Sequence, residues 1–336
     1  MNKYVVGIIF SCVFIYFSVR GLEFDKIVEA LQDVKYSYLI MAALLMLLTS
    51  VLRSLRWGMI LSPIEKIGQK SLFSIFSVGF MAVVLIPMRV GELVRAYLLR
   101  TNSHVSFTTA LSTIFVERVF DMLTILLILF VVILQAPVPL WLLKAGYTAL
   151  VLSILMILFM CFCYFKTGET LRLIRPVLGW LPHRFQGKLE GLIKNFITGF
   201  EIIRNPGKIL GIAILSTLIW VISGLAIYSL FWFQGLELNL VVAFVVLVVN
   251  IVGVSLPTAP GMLGNFQLSC IVALSLFNVN KDVAFVFSMV YYLLGIGIIV
   301  FLGLVFLPFI KFSLRNVLRD MRRKLTTEEG EIPNEQ

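Results

Sequence analysis

Six ionisable side chains stand where so apolar a sequence should have excluded them. In Pro87-Met88-Arg89-Val90-Gly91-Glu92-Leu93-Val94-Arg95, the residues Arg89, Glu92 and Arg95 recur every third position and share one helical face. Glu117, Arg118 and Asp121 lie inside a later apolar run. They follow about ten apolar or small residues, roughly 15 Å along a helix and near the centre of a bilayer. One ionised side chain at that depth costs about 2.5–3.5 kcal/mol on insertion scales. Arg89, Arg95 and Arg118 balance Glu92, Glu117 and Asp121 in charge. Two uses are open for them: a salt-bridge cluster that locks a broken helix to its neighbour, or a hydrated cavity that receives a charged headgroup or ion.

A second set of candidates carries no charge. The segment Ser255-Leu256-Pro257-Thr258-Ala259-Pro260-Gly261-Met262-Leu263-Gly264-Asn265-Phe266-Gln267 cannot continue a helix through two prolines and two glycines. Its freed carbonyls and amides need partners, so this backbone is buried or lines water. A helix restarting near Gly264 would aim amides and a partial positive charge inward, which suits an anion such as phosphate. Thr258, Gln267, Asn250 and Asn265 add neutral polar groups. The plain alternative is a tight turn. Arg53 and Arg56, spaced i, i+3 beside Trp57, could flank one phosphate or could only anchor their helix at the headgroup level. No catalytic residue, metal site or cofactor is expected. Cys12, Cys161, Cys163 and Cys270 all lie in apolar stretches, and His104 and His183 are far apart.

The elements that must position these groups follow from composition. Apolar residues make up 60% of the 336 and charged residues 14%, with a mean hydropathy of +1.01. That excludes an ordinary water-soluble domain. The apolar runs are long and continuous rather than alternating, so the expected class is an all-α polytopic membrane protein and not a barrel. Full crossings are expected at about 3–20, 36–60, 107–135, 139–165, 208–234 and 282–310. The first lacks a small-x-small cleavage site and reads as an uncleaved helix. Two further apolar regions, 71–103 and 240–280, are broken by Pro87 and Gly91 and by Pro257, Pro260, Gly261 and Gly264. They are expected to be re-entrant hairpins entering from opposite faces. Residues 1–310 form one membrane domain, and 311–336 form a tail that is first basic and then acidic. Segments 20–36 and 166–208 read as amphipathic surface helices, the latter against anionic headgroups. Most of the 28 Lys and Arg fall on one side of this layout, which places both termini in the cytoplasm of a multi-pass inner (plasma) membrane protein. The basic charge sits on no soluble domain, so nucleic acid is not an expected partner.

Four motifs now occur in order: Arg53-Ser54-Leu55-Arg56-Trp57, Pro87-x-Arg89-x-Gly91-Glu92-x-x-Arg95, Glu117-Arg118-x-x-Asp121, and Pro257-Thr258-x-Pro260-Gly261-x-x-Gly264. The set resembles the lysylphosphatidylglycerol synthase transmembrane-region family, also called flippase-like or uncharacterised protein family 0104, over about residues 3–310. The resemblance implies movement of lipids between leaflets. The best-known members carry aminoacylated phosphatidylglycerol, and others are linked to polyprenyl-phosphate or hopanoid pathways. Two departures are expected to matter. No soluble aminoacyltransferase domain follows the last predicted helix. Gln267 stands where the family often has Glu, which removes a titratable group. The leading expectation is a lipid translocase that binds a membrane lipid with an anionic headgroup, as a homo-oligomer or beside a separate lipid-modifying enzyme. The alternatives are an enzyme or membrane subunit of lipid-linked glycan biosynthesis, and a transporter of a small solute or ion.

Overall fold

The structure is a computed structural model that describes residues 16, 18–20, 34–86, 91–136, 138–172, 183–255 and 260–310. The expectations for the first crossing, most of the 20–36 helix, residues 173–182 and the tail therefore lie outside the described residues. So do those for Pro87, Arg89, Pro257 and Thr258.

Among the described residues the chain is helical with no strand. The order is α1 (Tyr36–Leu61), α2 (Gln69–Leu85), α3 (Gly91–Asn102), α4 (Phe107–Gln135), α5 (Leu140–Phe165), α6 (His183–Thr198), α7 (Pro206–Phe233), α8 (Leu240–Val254), α9 (Asn265–Ser275) and α10 (Lys281–Phe306). Five of the six segments expected to cross thus appear as helices, four within about two residues of their expected ends and the fifth, α10, ending at Phe306 where a short 3-10 turn carries it to Phe309. The helix α1, α5, α7 and the α10 helix extended to Phe309 are each long and apolar enough to cross a bilayer. At 29 residues α4 is as long, and it carries Glu117, Arg118 and Asp121. Its start is set by Ser106, whose side chain accepts from the Thr109 amide at 3.1 Å. Asn205 caps α7 in the same way with Pro206 at its first position, and Asn239 caps α8.

The pair α1 and α7 packs most extensively. The Ser229 hydroxyl donates to the Tyr38 carbonyl at 2.7 Å, and Lys208 Nζ donates to the Ser62 hydroxyl at 2.7 Å. The start of α1 therefore meets the end of α7 and the reverse, so the two run antiparallel. Each broken region yields two short helices packed on each other, α2 with α3 and α8 with α9. Asn250 in α8 ties the second pair by donating to the Phe266 carbonyl at 3.3 Å, and Asn265 answers by donating to the Gly253 carbonyl at 3.1 Å. These bonds supply partners for backbone groups that water cannot reach.

The amphipathic reading of 166–208 changes in one respect. The C-terminal end of α6 packs on the protein rather than standing free at the surface. Ile197 and Phe200 are buried, Phe200 packs on Phe115 of α4, and the Thr109 hydroxyl donates to the Asn195 carbonyl at 2.7 Å. The helix docks on the protein because α4 offers small residues there: Gly199 fits directly over Ser112. By contrast α5 leaves Leu150, Val151, Ile154, Leu155 and Leu158 exposed, as a helix bathed in hydrocarbon would.

Candidate functional site

The motif charges converge on α4. Glu117 and Asp121 are one turn apart on its buried face, 2% and 4% exposed. Arg95 of α3 reaches Glu117, Nη1 to Oε2 at 2.6 Å. Arg118 is half-buried and bridges Glu92 and Asp121, each at 3.4 Å. Arg56 of α1 is 1% exposed and donates through Nη1 to Asp121 Oδ1 at 2.6 Å, with Glu117 at 3.7 Å. The same Nη1 donates to the Ser216 hydroxyl of α7 at 2.8 Å. Trp220 of α7 donates its indole N–H to Asp121 at 3.0 Å. One carboxylate thereby joins α1, α4 and α7.

Two expectations are corrected here. Arg56 does not stand with Arg53 at the headgroup level to flank a phosphate; its charge is spent on Asp121 and Glu117 because α1 packs beside α4. It takes the place expected for Arg89 in the neutral set of six. Nor is the cluster as deep as a count from Phe107 alone gives. The first turns of α4 are covered by α6, and Arg56 is five residues from the end of α1, about 7.5 Å along the helix.

Arg53 is different. It lies one turn before Arg56, half-buried, with its guanidinium carbon 4.9 Å from the ring centroid of Trp220. None of the carboxylates that pair with Arg56, Arg95 and Arg118 pairs with it among the described residues. Among the described residues the paired six cancel, and Arg53 adds one positive charge beside them.

Arg53 also lines a cavity of about 300 Å³. Its walls come from α1 (Met46, Thr49, Ser50), α2 (Phe76, Ser77, Phe80, Val83, Val84), α7 and α10. Gly261, Met262 and Phe266 close one side. The lining is mostly apolar, and the side toward α10 includes Gly295, where an added Cβ would meet nothing within 4 Å. Sequence reasoning missed this cavity, together with Trp220 and Ser216. Their α7 run is predominantly apolar, and Ser216 and Trp220 within it carry no periodic signal.

The second broken region is built differently from expectation. Gly261 and Gly264 have φ of 75° and 85°, the left-handed region that glycine enters without cost. The Tyr292 hydroxyl donates to the Gly261 carbonyl at 2.8 Å, which satisfies one freed acceptor at the cavity wall. The Gly264 amide does not wait for an anion: it donates to Gln267 Oε1 at 2.8 Å. Gln267 is 4% exposed and acts as the cap of α9. The Gly264 amide is thus taken by the chain itself and is not free for an anion.

Comparison with known proteins places this geometry. A UPF0104 membrane protein of Methanocaldococcus jannaschii is 27% identical over 248 residues, 71% of this chain and 97% of that one. A UPF0104 membrane protein of Methanothermobacter thermautotrophicus is 26% identical over 314 residues, 88% of this chain and 92% of that one. No solved structure matches. The model of the lysylphosphatidylglycerol synthase TM region matches residues 4–303, a span that takes in α1 to α9 and nearly all of α10 as well as the paired charges and the cavity, and the chain belongs to that family of membrane proteins.

Proposed function

We propose that the protein moves a lipid with an anionic headgroup between leaflets, without chemically converting it. The observation that carries this reading is Arg53: a guanidinium with no carboxylate partner among the described residues, on the wall of an apolar cavity large enough for part of one acyl chain. An unpaired charge in hydrocarbon is costly, and a lipid phosphate would offset that cost while its chain fills the apolar volume. The family membership supports a role at membrane lipids. A closed aqueous path for a small ion would not need the apolar lining.

The same reading gives the two broken regions their role. We take α2–α3 and α8–α9 as opposed re-entrant hairpins, in a plasma membrane with both termini cytoplasmic, so that the end of α2 at Val83 and Val84 and the break at Gly261 face the cavity between full crossings. Cysteines placed at Ser71 and Ser103 should then both react with an impermeant reagent from the cytoplasmic side. Reaction of the two positions from opposite sides would make α2–α3 a pair of crossings instead.

The direct test of transport is reconstitution. Fluorescent phosphatidylglycerol in proteoliposomes, bleached from outside by dithionite, reports leaflet exchange. Losing a charge-assisted hydrogen bond to a buried phosphate should slow Arg53→Gln by about tenfold or more. Arg53→Lys, which keeps the charge, should retain more of the rate. Exchange at the wild-type rate in Arg53→Gln would remove Arg53, and with it this reading.

A further inference from the structure

Arg95 is paired on only part of its guanidinium. Nη1 meets Glu117, but Nε and Nη2 are buried without a hydrogen-bond acceptor among the described residues. These two nitrogens form one edge of the planar group, a fork matched to two oxygens of one oxyanion. The residue is 1% exposed, so water does not cover that edge from bulk. A buried charged donor left unmatched is costly, and such groups call for an explanation.

The surroundings say what could reach it. The guanidinium carbon lies 3.8 Å from the ring centroid of Trp57, and 5.2 and 5.4 Å from those of Phe76 and Phe80. Phe76 and Phe80 are also walls of the cavity that Arg53 lines, and their ring centroids are 4.4 Å apart. Between them in the chain, Ser77 faces the same cavity with a buried hydroxyl that has no partner among the described residues. Gly79 allows the close approach: a Cβ there would come within 2.9 Å of Arg95 Cγ. The rings of Phe76 and Phe80 thus lie both on the cavity wall and beside the guanidinium with the unmatched fork.

We infer that Arg95 and Ser77 form a second oxyanion subsite, behind the Phe76–Phe80 pair, which receives the phosphate that Arg53 meets first. This rests on the translocation reading and deepens it: the substrate is a lipid with an oxyanion headgroup, passed between two guanidinium groups. The phenyl pair is the gate between them. Rotation of either ring would join the two subsites without breaking an ion pair, since Phe76 and Phe80 take part in none and Arg95 holds Glu117 through Nη1 alone. The neutral cluster then holds Arg95 in place while its free edge works.

The test uses the reconstituted full chain and two readouts, leaflet exchange of fluorescent phosphatidylglycerol and equilibrium dialysis of dodecyl phosphate. Arg95→Lys keeps the charge next to Glu117 and removes the fork. It should slow exchange by about tenfold, with dodecyl phosphate affinity at the outer site altered little. Phe80→Leu widens the gate and should raise the exchange rate, a change that loss of packing alone would not produce. Wild-type exchange in Arg95→Lys, alongside slowed exchange in Arg53→Gln, would overturn the second subsite and leave the translocation reading standing. Wild-type exchange in Arg53→Gln would overturn both. Should Arg95→Lys fail to fold, Phe80→Leu decides: a rate at or below wild type in folded protein overturns the gate.

Discussion

Asp121→Asn should destabilise the fold by about 3–5 kcal/mol, the range for breaking a buried ion pair from one side. Asp121 accepts from Arg56 at 2.6 Å and from Trp220 at 3.0 Å, and faces Arg118 at 3.4 Å. An Asn there offers one carbonyl oxygen in place of two carboxylate oxygens. Its amide group must then point at a guanidinium or at an indole N–H, donor against donor. Arg56 is left with Glu117 at 3.7 Å, a partner that Arg95 already holds more closely. The control is Glu92→Gln. Glu92 also pairs with Arg118, at 3.4 Å, but the side chains are 27% and 36% exposed. Exposed pairs contribute about 0–1 kcal/mol. Unfolding titrations of the two purified variants should separate by most of that difference. Equal losses would mean that the cluster is hydrated throughout and that Asp121 holds nothing in particular.

The contrast between these two acids shows what the sequence made legible. Charge balance of Arg89, Arg95 and Arg118 against Glu92, Glu117 and Asp121 anticipates that the acids pair, because a lone charge in hydrocarbon is costly. It does not say with whom. Arg56 sits five residues from the end of α1, and the positive-inside pattern reads such a residue as a topology signal. Only the packing of α1 against α4 turns it into a structural partner. The helices themselves were legible because a bilayer leaves few options: continuous apolar runs mark α4 and α7 closely. Gln267 was legible as a missing carboxylate but not as a cap, since the turn at Gly264 that it closes depends on three residues with positive φ. The cavity was not legible. It is the space that α1, α2, α7 and α10 leave between them while packing on one another, and no local pattern encodes a gap.

Gly91→Ala should disrupt the protein as severely, for a reason of shape rather than charge. Gly91 opens α3 where it crosses α2, and a Cβ there would fall on the backbone of Val83 and Ala82. A flexible side chain can swing aside; a helix backbone cannot. Overpacking costs about 1–3 kcal/mol where side chains can yield, and more where they cannot. To relieve the clash α3 must shift as a body, and Glu92 and Arg95 shift with it. The 2.6 Å contact from Arg95 to Glu117 is the first to open. Gly295→Ala is the matched control, since its Cβ would meet nothing within 4 Å. The expected result is a sharp fall in folded Gly91→Ala protein recovered in detergent, with Gly295→Ala recovered as wild type. Any Gly91→Ala that does fold should exchange lipid slowly, because the fork of Arg95 no longer stands behind Phe76 and Phe80. Normal recovery and normal exchange together would mean that α2 and α3 lie further apart than described. The spacing Gly91-Glu92-x-x-Arg95 would then owe nothing to close packing. As the structure stands, the glycine brings the helix in, and the next turn delivers the arginine.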